Sequence, residues 1–237
     1  MLRLSYILFL IMLPGFGLYC QSTYSDFIKE GKKKHEKQNF SGAVQDYDKA
    51  IRLNPENPEA YYLKANAEFD MGNFEDAVKD YSRLLKLDDK YPDGYYNRGN
   101  AYYELREYDL ALQDFNKAIE LKDDDPYIYY NRASTYFKLE KFSAAINDFT
   151  KTITLDPKNA DAYYDRGNCY FFLDKFKPAI ADYSAAIKIQ GNIFDYYFNR
   201  ALAEFRIEMM KEGCEDLTRA SSLGDEQASG YHSELCE

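Results

Sequence analysis

The feature that most constrains this chain is a period of 34 residues, which repeats six times without an insertion or deletion. An unbroken period of this length predicts units that stack on one another in one fixed way. A single slip in register would disrupt the surface that the units share. The six units start at Tyr24, Pro58, Pro92, Pro126, Ala160 and Phe194.

Within each unit, small and large residues recur at helical spacing and fall into two groups. In the third unit, Tyr95, Gly99 and Tyr102 share one predicted helix face. Phe115 and Ala118 share another face. Small residues let two helix axes approach closely, and the aromatic rings fill the space beside them. Because a short polar break separates the groups, each unit is predicted to be a hairpin of two antiparallel helices.

This pattern resembles the tetratricopeptide repeat (TPR) over residues 24–227. The resemblance implies an all-α fold, an α-solenoid of six helix-turn-helix repeats in a superhelical stack, closed by a C-terminal capping helix. The end units depart from the family pattern, since Lys34, Glu204 and Gly213 stand at places that normally pack. The expected units are residues 24–57, 58–91, 92–125, 126–159, 160–193 and 194–227, with the capping helix at 225–237.

The first 20 residues differ from the repeats. One cation, Arg3, precedes an apolar run over residues 4–13 and a segment rich in Pro and Gly, which is the pattern of an export signal. Residues 1–20 are therefore predicted to be a signal peptide, and the protein to be periplasmic or secreted. Cleavage is expected after Cys20. The alternatives are a lipidated Cys20, although a large residue precedes it, and a retained membrane anchor, although the run is short for a span.

Three further cysteines follow this segment. Cys214 and Cys236 flank a predicted turn, beyond which the last helix would fold back on the preceding one. In an exported protein we expect these two to form a disulfide; the alternative is two free thiols near a frayed end. Cys169 is expected to be buried as a small apolar residue.

The sequence offers no pattern for catalysis. Its two histidines, His35 and His232, lie at opposite ends of the stack, and no CxxC, HExxH, GxSxG or phosphate-binding glycine loop occurs. The net charge of −10 disfavours binding to nucleic acid. We therefore expect no enzyme, no metal, no cofactor and no nucleic-acid partner. Membrane contact is expected only through the N-terminus, if it is uncleaved or lipidated at Cys20.

Two charged residue types recur in register. Charges at places that are usually apolar predict ion pairs between packed helices, which would fix their register. The alternative is a solvated charged face of little energetic value. An aspartate occupies the twenty-third place of every unit: Asp46, Asp80, Asp114, Asp148, Asp182 and Asp216. An arginine occupies the seventh place of units three to six: Arg98, Arg132, Arg166 and Arg200.

The resemblance also implies where a partner would bind. In this family the concave surface comes mainly from the first helix of each unit, at its second, fifth, sixth, ninth and twelfth places. Tyrosines and asparagines there would suit an extended peptide, because amides bond to any backbone and tyrosines give contact area at low entropic cost. The alternative is that they are ordinary consensus residues. The candidate binding residues are Tyr62, Asn66, Tyr96, Asn97, Asn100, Tyr130, Asn131, Tyr164, Asn168 and Asn199.

The second place of the units is mostly acidic: Glu59, Asp93, Asp161 and Asp195. Such a rim would repel a terminal carboxylate, which co-chaperone members of the family bind, and favours a neutral or basic segment. The predicted function is an exported scaffold that binds a protein or an extended peptide without catalysis. The alternative is a membrane-tethered lipoprotein that assembles an envelope or secretion complex.

Overall fold

The structure is a computed structural model and describes residues 22–236. Within this range it contains thirteen helices and no strand. The helices are α1 (Tyr24–Glu36), α2 (Phe40–Leu53), α3 (Pro58–Asp70), α4 (Phe74–Leu87), α5 (Pro92–Glu104), α6 (Tyr108–Leu121), α7 (Pro126–Lys138), α8 (Phe142–Leu155), α9 (Ala160–Phe172), α10 (Phe176–Ile189), α11 (Phe194–Phe205), α12 (Met210–Ser222) and α13 (Glu226–Leu235).

The helices pack in the order of the chain. Each odd-numbered helix from α1 to α11 forms a hairpin with the helix that follows it, and those from α1 to α9 also contact the next odd-numbered helix. Each hairpin begins at the first residue of a predicted unit. The predicted solenoid of six helical hairpins is therefore confirmed. The predicted signal peptide, with Cys20, lies outside the described residues.

The turn inside every hairpin has the same backbone. The fifteenth residue of each unit has a left-handed φ between 55° and 78°. In the fourth unit, the amide of Lys141 then donates to the carbonyl of Tyr136, 2.9 Å away, which is the Schellman ending of a helix. Only the second unit places a glycine, Gly72, at this position. The six residues are Gln38, Gly72, Arg106, Glu140, Asp174 and Glu208.

Two residues of the sixth unit, Gly213 and Glu204, stand at places that normally pack, and the structure shows a different environment for each. A Cβ atom added at Gly213 would come 2.6 Å from the ring of Phe205, so this aromatic ring fills the space above the glycine. The place is therefore packed, contrary to what the sequence alone suggests. Glu204 is also buried, and its Oε2 atom has no hydrogen-bond partner among residues 22–236.

The predicted ion pairs between the two helices of a unit are confirmed. In the fourth unit, Arg132 donates from Nε and Nη2 to the two carboxylate oxygens of Asp148, at 2.7 and 2.8 Å. Its third nitrogen, Nη1, donates to Asn116 of the preceding unit at 2.7 Å. The same arrangement joins Arg98 to Asp114 and Ser82, Arg166 to Asp182 and Thr150, and Arg200 to Asp216 and Ser184. We call this three-way contact the arginine lock, and it ties each of units three to six to the unit before it.

The C-terminal end is covered by α13. Asp225 caps this helix by accepting from the amide of Gln227 at 2.9 Å, and Ala228 is buried against the sixth unit. The Cα atoms of Cys214 and Cys236 lie 5.8 Å apart, a separation that a disulfide can span. Cys169 is buried, as its position predicts. No helix within residues 22–236 has the length and apolar character needed to cross a membrane.

Candidate functional site

The inner surface of the stack is a groove made by the first helices of successive units. It contains a cavity of about 500 Å³ beside a smaller one of about 300 Å³. Phe69 and Asn100 line both cavities, so the two lie side by side. The walls of the larger cavity include aromatic rings from the twelfth place of three successive units: Phe69, Tyr103 and Phe137.

Asparagines cross-link the units along this groove. The side-chain nitrogen of Asn97 donates to the hydroxyl of Tyr62 at 3.3 Å and to Oδ1 of Asn66 at 3.2 Å. Asn131 makes the same bonds to Tyr96 and Asn100, and Asn199 makes them to Tyr164 and Asn168. We call these three sets the asparagine ladder.

The asparagine ladder changes what its members can offer a ligand. An asparagine amide has two N–H groups. In Asn97, as in Asn131 and Asn199, both are used on the preceding unit. These three side chains keep only carbonyl oxygens for a bound peptide. Nine of the ten candidate binding residues belong to the asparagine ladder, which therefore has a structural role whatever the groove binds.

The ladder is interrupted between the fourth and fifth units. The sixth place of the fifth unit is Asp165, whose Oδ2 accepts from the hydroxyl of Tyr130 at 2.7 Å. The ninth place of the fourth unit is Ser134 rather than asparagine, and its hydroxyl donates to the backbone oxygen of Tyr130 on its own helix. Burial raises the pKa of the Asp165 carboxyl. Both departures line the larger cavity.

The candidate residues divide between the cavities and the helix contacts. Asn100, Tyr130 and Asn131 line the larger cavity, and the smaller one is lined by Asn66 and Asn97 together with Asn100. The five remaining candidates, which line neither cavity, are Tyr62, Tyr96, Tyr164, Asn168 and Asn199. The sequence-based selection left out the aromatic walls and the two departures from the ladder. The signal for the departures was present in the sequence, as the breaks in an otherwise regular series.

The acidic second places are partly engaged within the chain. Glu59 accepts from Nζ of Lys32 at 2.8 Å, and Asp161 accepts from the hydroxyl of Tyr196 at 2.8 Å. Asp93 and Asp195 are exposed. Across residues 22–236, no cluster of three or more His, Cys, Asp or Glu side chains is placed to hold a metal ion.

Comparison with known families identifies the repeat. The TPR repeat model matches residues 31–67 and 65–106, and the tetratricopeptide repeat model matches residues 92–125, 126–159 and 160–192. The chain belongs to the tetratricopeptide repeat family. A search of curated protein sequences finds no match.

Several solved structures share the fold. MamA is 25% identical, with a TM-score of 0.68 over 71% of this chain and 92% of its own. YrrB, a TPR protein with an unusual peptide-binding site, is 23% identical, with a TM-score of 0.71 over 80% of this chain and 98% of its own. PilF of Pseudomonas aeruginosa is 17% identical, with a TM-score of 0.74 over 89% of this chain and 97% of its own.

Proposed function

We propose that this protein is a non-catalytic scaffold that binds an extended segment of a partner protein in its inner groove. The observation that carries the proposal is that the two cavities adjoin along the first helices of neighbouring units. Adjoining cavities with aromatic walls and amide oxygens suit a peptide that runs past several units, since backbone amides of the peptide can donate to the free oxygens. The unusual peptide-binding site of YrrB, on the same fold, is consistent with such a role.

The charge of the groove favours a neutral or basic segment. Within residues 22–236, two carboxylates, Glu104 and Asp165, and one cation, Lys138, line the larger cavity. Asp70 adds a carboxylate to the smaller cavity, where its Oδ2 lies 2.6 Å from Nε2 of His35. An acidic surface of this kind attracts basic partners and repels acidic ones.

The groove can be tested by filling it. Ser134 lines the larger cavity and bonds only to its own helix, so Ser134→Arg would place a long side chain in the cavity without breaking the asparagine ladder. The matched control is Gln113→Arg on α6, which adds the same charge at an exposed position. Partners are captured by the immobilised chain from the envelope fraction of the native cells and quantified by mass spectrometry.

We expect Ser134→Arg to lose the partners that the unmodified chain and Gln113→Arg retain. Circular dichroism spectra of both variants should match that of the unmodified chain, which checks that they are folded. Equal capture by the two variants would place the binding site outside the groove.

We also propose that the protein is exported and that Cys214 and Cys236 are bonded in its mature form. The proposal is supported by the signal-like pattern of residues 1–20 and by the separation of 5.8 Å between the two Cα atoms. Mass spectrometry of the mature N-terminus distinguishes cleavage near residue 20 from a lipidated Cys20, which would support the tethered assembly role instead. A thiol count of three in the unreduced mature protein would reject the disulfide.

A further inference from the structure

Two departures from the repeat meet at one point of the groove. At the sixth and ninth places, the neighbouring junctions present two amides that bond to each other, as Asn131 and Asn100 do at 2.8 Å. At the junction of the fourth and fifth units, these places hold Asp165 and Ser134, and no bond joins their side chains. The larger cavity lies at this junction, lined by Ser134, whose hydroxyl turns to its own helix, and by the Asp165 carboxylate.

We propose, resting on the groove as the binding site, that this cavity is a pocket for one lysine or arginine side chain of the bound segment. Asp165 is its specificity-determining residue. The other units carry no carboxylate at the sixth place. The pocket would therefore select a basic residue at one position of the partner and fix how the bound segment is aligned along the groove.

The carboxylate of Asp165 lacks a counter-charge at bonding distance. Every aspartate at the twenty-third place of a unit is ion-paired to a lysine or arginine, whereas the structure gives Asp165 no ion pair within residues 22–236. Its hydrogen bonds come from Tyr130, at 2.7 Å, and from Asn168, at 3.5 Å. A carboxylate can accept about four. A ligand ammonium or guanidinium would supply the missing charge and fill this unused capacity.

The walls of the pocket also suit a long cationic side chain. The rings of Phe69, Tyr103 and Phe137 can cover the methylene stem of a lysine or arginine, and an aromatic face attracts the charged end. A carboxylate among the lining residues disfavours an apolar ligand side chain, because burying an unpaired charge against an apolar group costs free energy.

Of the described residues, Lys138 is the only cation that lines the cavity, and its side chain is exposed. Its charge acts on Asp165 from a distance, in the direction that lowers the pKa of the carboxyl. A basic ligand would be repelled by Lys138 while it is attracted by Asp165. Removal of Lys138 should therefore tighten the binding of a basic ligand, the opposite of what loss of a structural contact would do.

The repeat itself supplies a conservative variant. Asp165→Asn restores the residue that the third, fourth and sixth units carry at this place, so it removes the charge while keeping a side chain that the fold accommodates. The double variant Asp165→Asn plus Gln113→Glu restores the charge at an exposed position of α6 and keeps the net charge of the chain unchanged.

The experiment uses the immobilised full chain and a library of extended nonapeptides in which one position at a time is fixed as Lys, Arg, Met or Glu. We expect one fixed position at which Lys and Arg bind more tightly than Met, by about 10- to 100-fold, the value of a charge-assisted hydrogen bond. Asp165→Asn and the double variant should abolish this preference, while Lys138→Ala should strengthen it severalfold.

The outcomes separate this proposal from the groove itself. If no library peptide binds the unmodified chain, or if Ser134→Arg binds the same peptides equally well, the groove fails as the site and the pocket fails with it. If peptides bind the groove but show no preference for Lys or Arg, or if Asp165→Asn retains that preference, the groove stands and the cation pocket is rejected.

Discussion

The second and fourth units share one fold, but they differ at two places, the cation at the seventh place and the residue with a left-handed φ in the turn. The fourth unit fixes its register with Arg132, whose three nitrogens reach both oxygens of Asp148 and the preceding unit. The second unit has Lys64 at that place, which the sequence-based assignment of arginines had left out. Its single nitrogen lies 3.0 Å from Asp80 and 3.0 Å from Asp48 of the first unit.

The second unit also carries a poorly compensated buried acid, Glu68, at the eleventh place, where the fourth unit has Tyr136. An oxygen of Glu68 lies 3.6 Å from Nζ of Lys64, and its Oε2 atom is buried with no hydrogen-bond partner in the described part of the chain. Burial raises the pKa of Glu68 to about 8. At the turn inside the hairpin, the second unit has the better-suited residue. Its Gly72 adopts a left-handed φ of 78°, whereas the fourth unit has Glu140 at the same place, with a φ of 57°. Each unit therefore has one well-suited residue where the other has a compromise, which shows that the period can absorb imperfect members.

The largest difference between the two units is expected on removal of the cation. Arg132→Met leaves Asp148, whose side chain is 9% exposed, without its partner, and should cost about 3 kcal/mol of unfolding free energy. Lys64→Met should cost less, because the side chains of Asp80 and Asp48 are 16% and 40% exposed and can turn to water. Urea unfolding followed by circular dichroism measures both.

The control for this prediction is the double change Arg132→Met plus Asp148→Leu. It should recover most of the loss, because replacing a whole buried pair by apolar residues is often nearly neutral. An unchanged or raised stability in Arg132→Met alone would show that the arginine lock does not stabilise the stack.

The next effect concerns Glu68 and pH. Its pKa is about 8 in the folded chain against 4.5 for a free carboxyl, so the folded chain keeps a proton that the unfolded chain releases. The stability that this proton contributes is complete below about pH 4.5 and is lost as the pH rises through about 8. Glu68→Gln should therefore match the unmodified chain at low pH and exceed it at high pH, by about 1–2 kcal/mol.

Urea unfolding at about pH 5 and about pH 9 tests this difference. Asp76→Asn is the control, because that carboxylate is exposed and pairs with Lys79 at the surface, so its neutralisation should give no gain at high pH. A benefit of Glu68→Gln that is the same at both pH values would contradict the assignment. Burial likewise raises the pKa of Glu204 to about 7. Glu204→Gln should therefore also exceed the unmodified chain in stability at high pH, and its advantage should appear at a lower pH than that of Glu68→Gln.

The smallest effect is expected at the turns. Glu140→Gly relieves a left-handed φ at a residue with a Cβ atom and should raise stability by about 0.5–1 kcal/mol. Gly72→Ala should lower it by about 1 kcal/mol, since alanine resists the left-handed region. Thermal unfolding midpoints measure both. Changes of the same sign in the two variants would show that the backbone conformation does not decide the effect.

Most of the stack could be read from the sequence, because a period of 34 states which residues must be equivalent. The helix hairpins and the pairing of Arg132 with Asp148 follow from that equivalence. The sequence did not show which hydrogen-bonding groups of the groove are free to bind a partner. Spacing places Asn97 on the inner face, but whether its N–H groups are free depends on how closely the next unit approaches, which the period does not specify.

The same limit applies to the cavity. Ser134 and Asp165 are 31 residues apart, and each alone is an ordinary substitution in a series. Their effect comes from meeting across a junction, with the hydroxyl of Ser134 turned to its own helix. The pairing of Lys64 with Asp48 was missed for a related reason, since the contact crosses from one unit to the next and replaces a neutral partner by a charged one.

The third nitrogen of each arginine lock has a consequence for how such a chain can change length. Its partner in the preceding unit is Ser82, Asn116, Thr150 or Ser184, and each of these offers an oxygen at the same place. A chain from which residues 126–159 had been excised would bring Arg166 against Asn116, an acceptor that already serves Arg132. Whole units are therefore interchangeable modules, and a gene that gains or loses one can still encode a continuous stack.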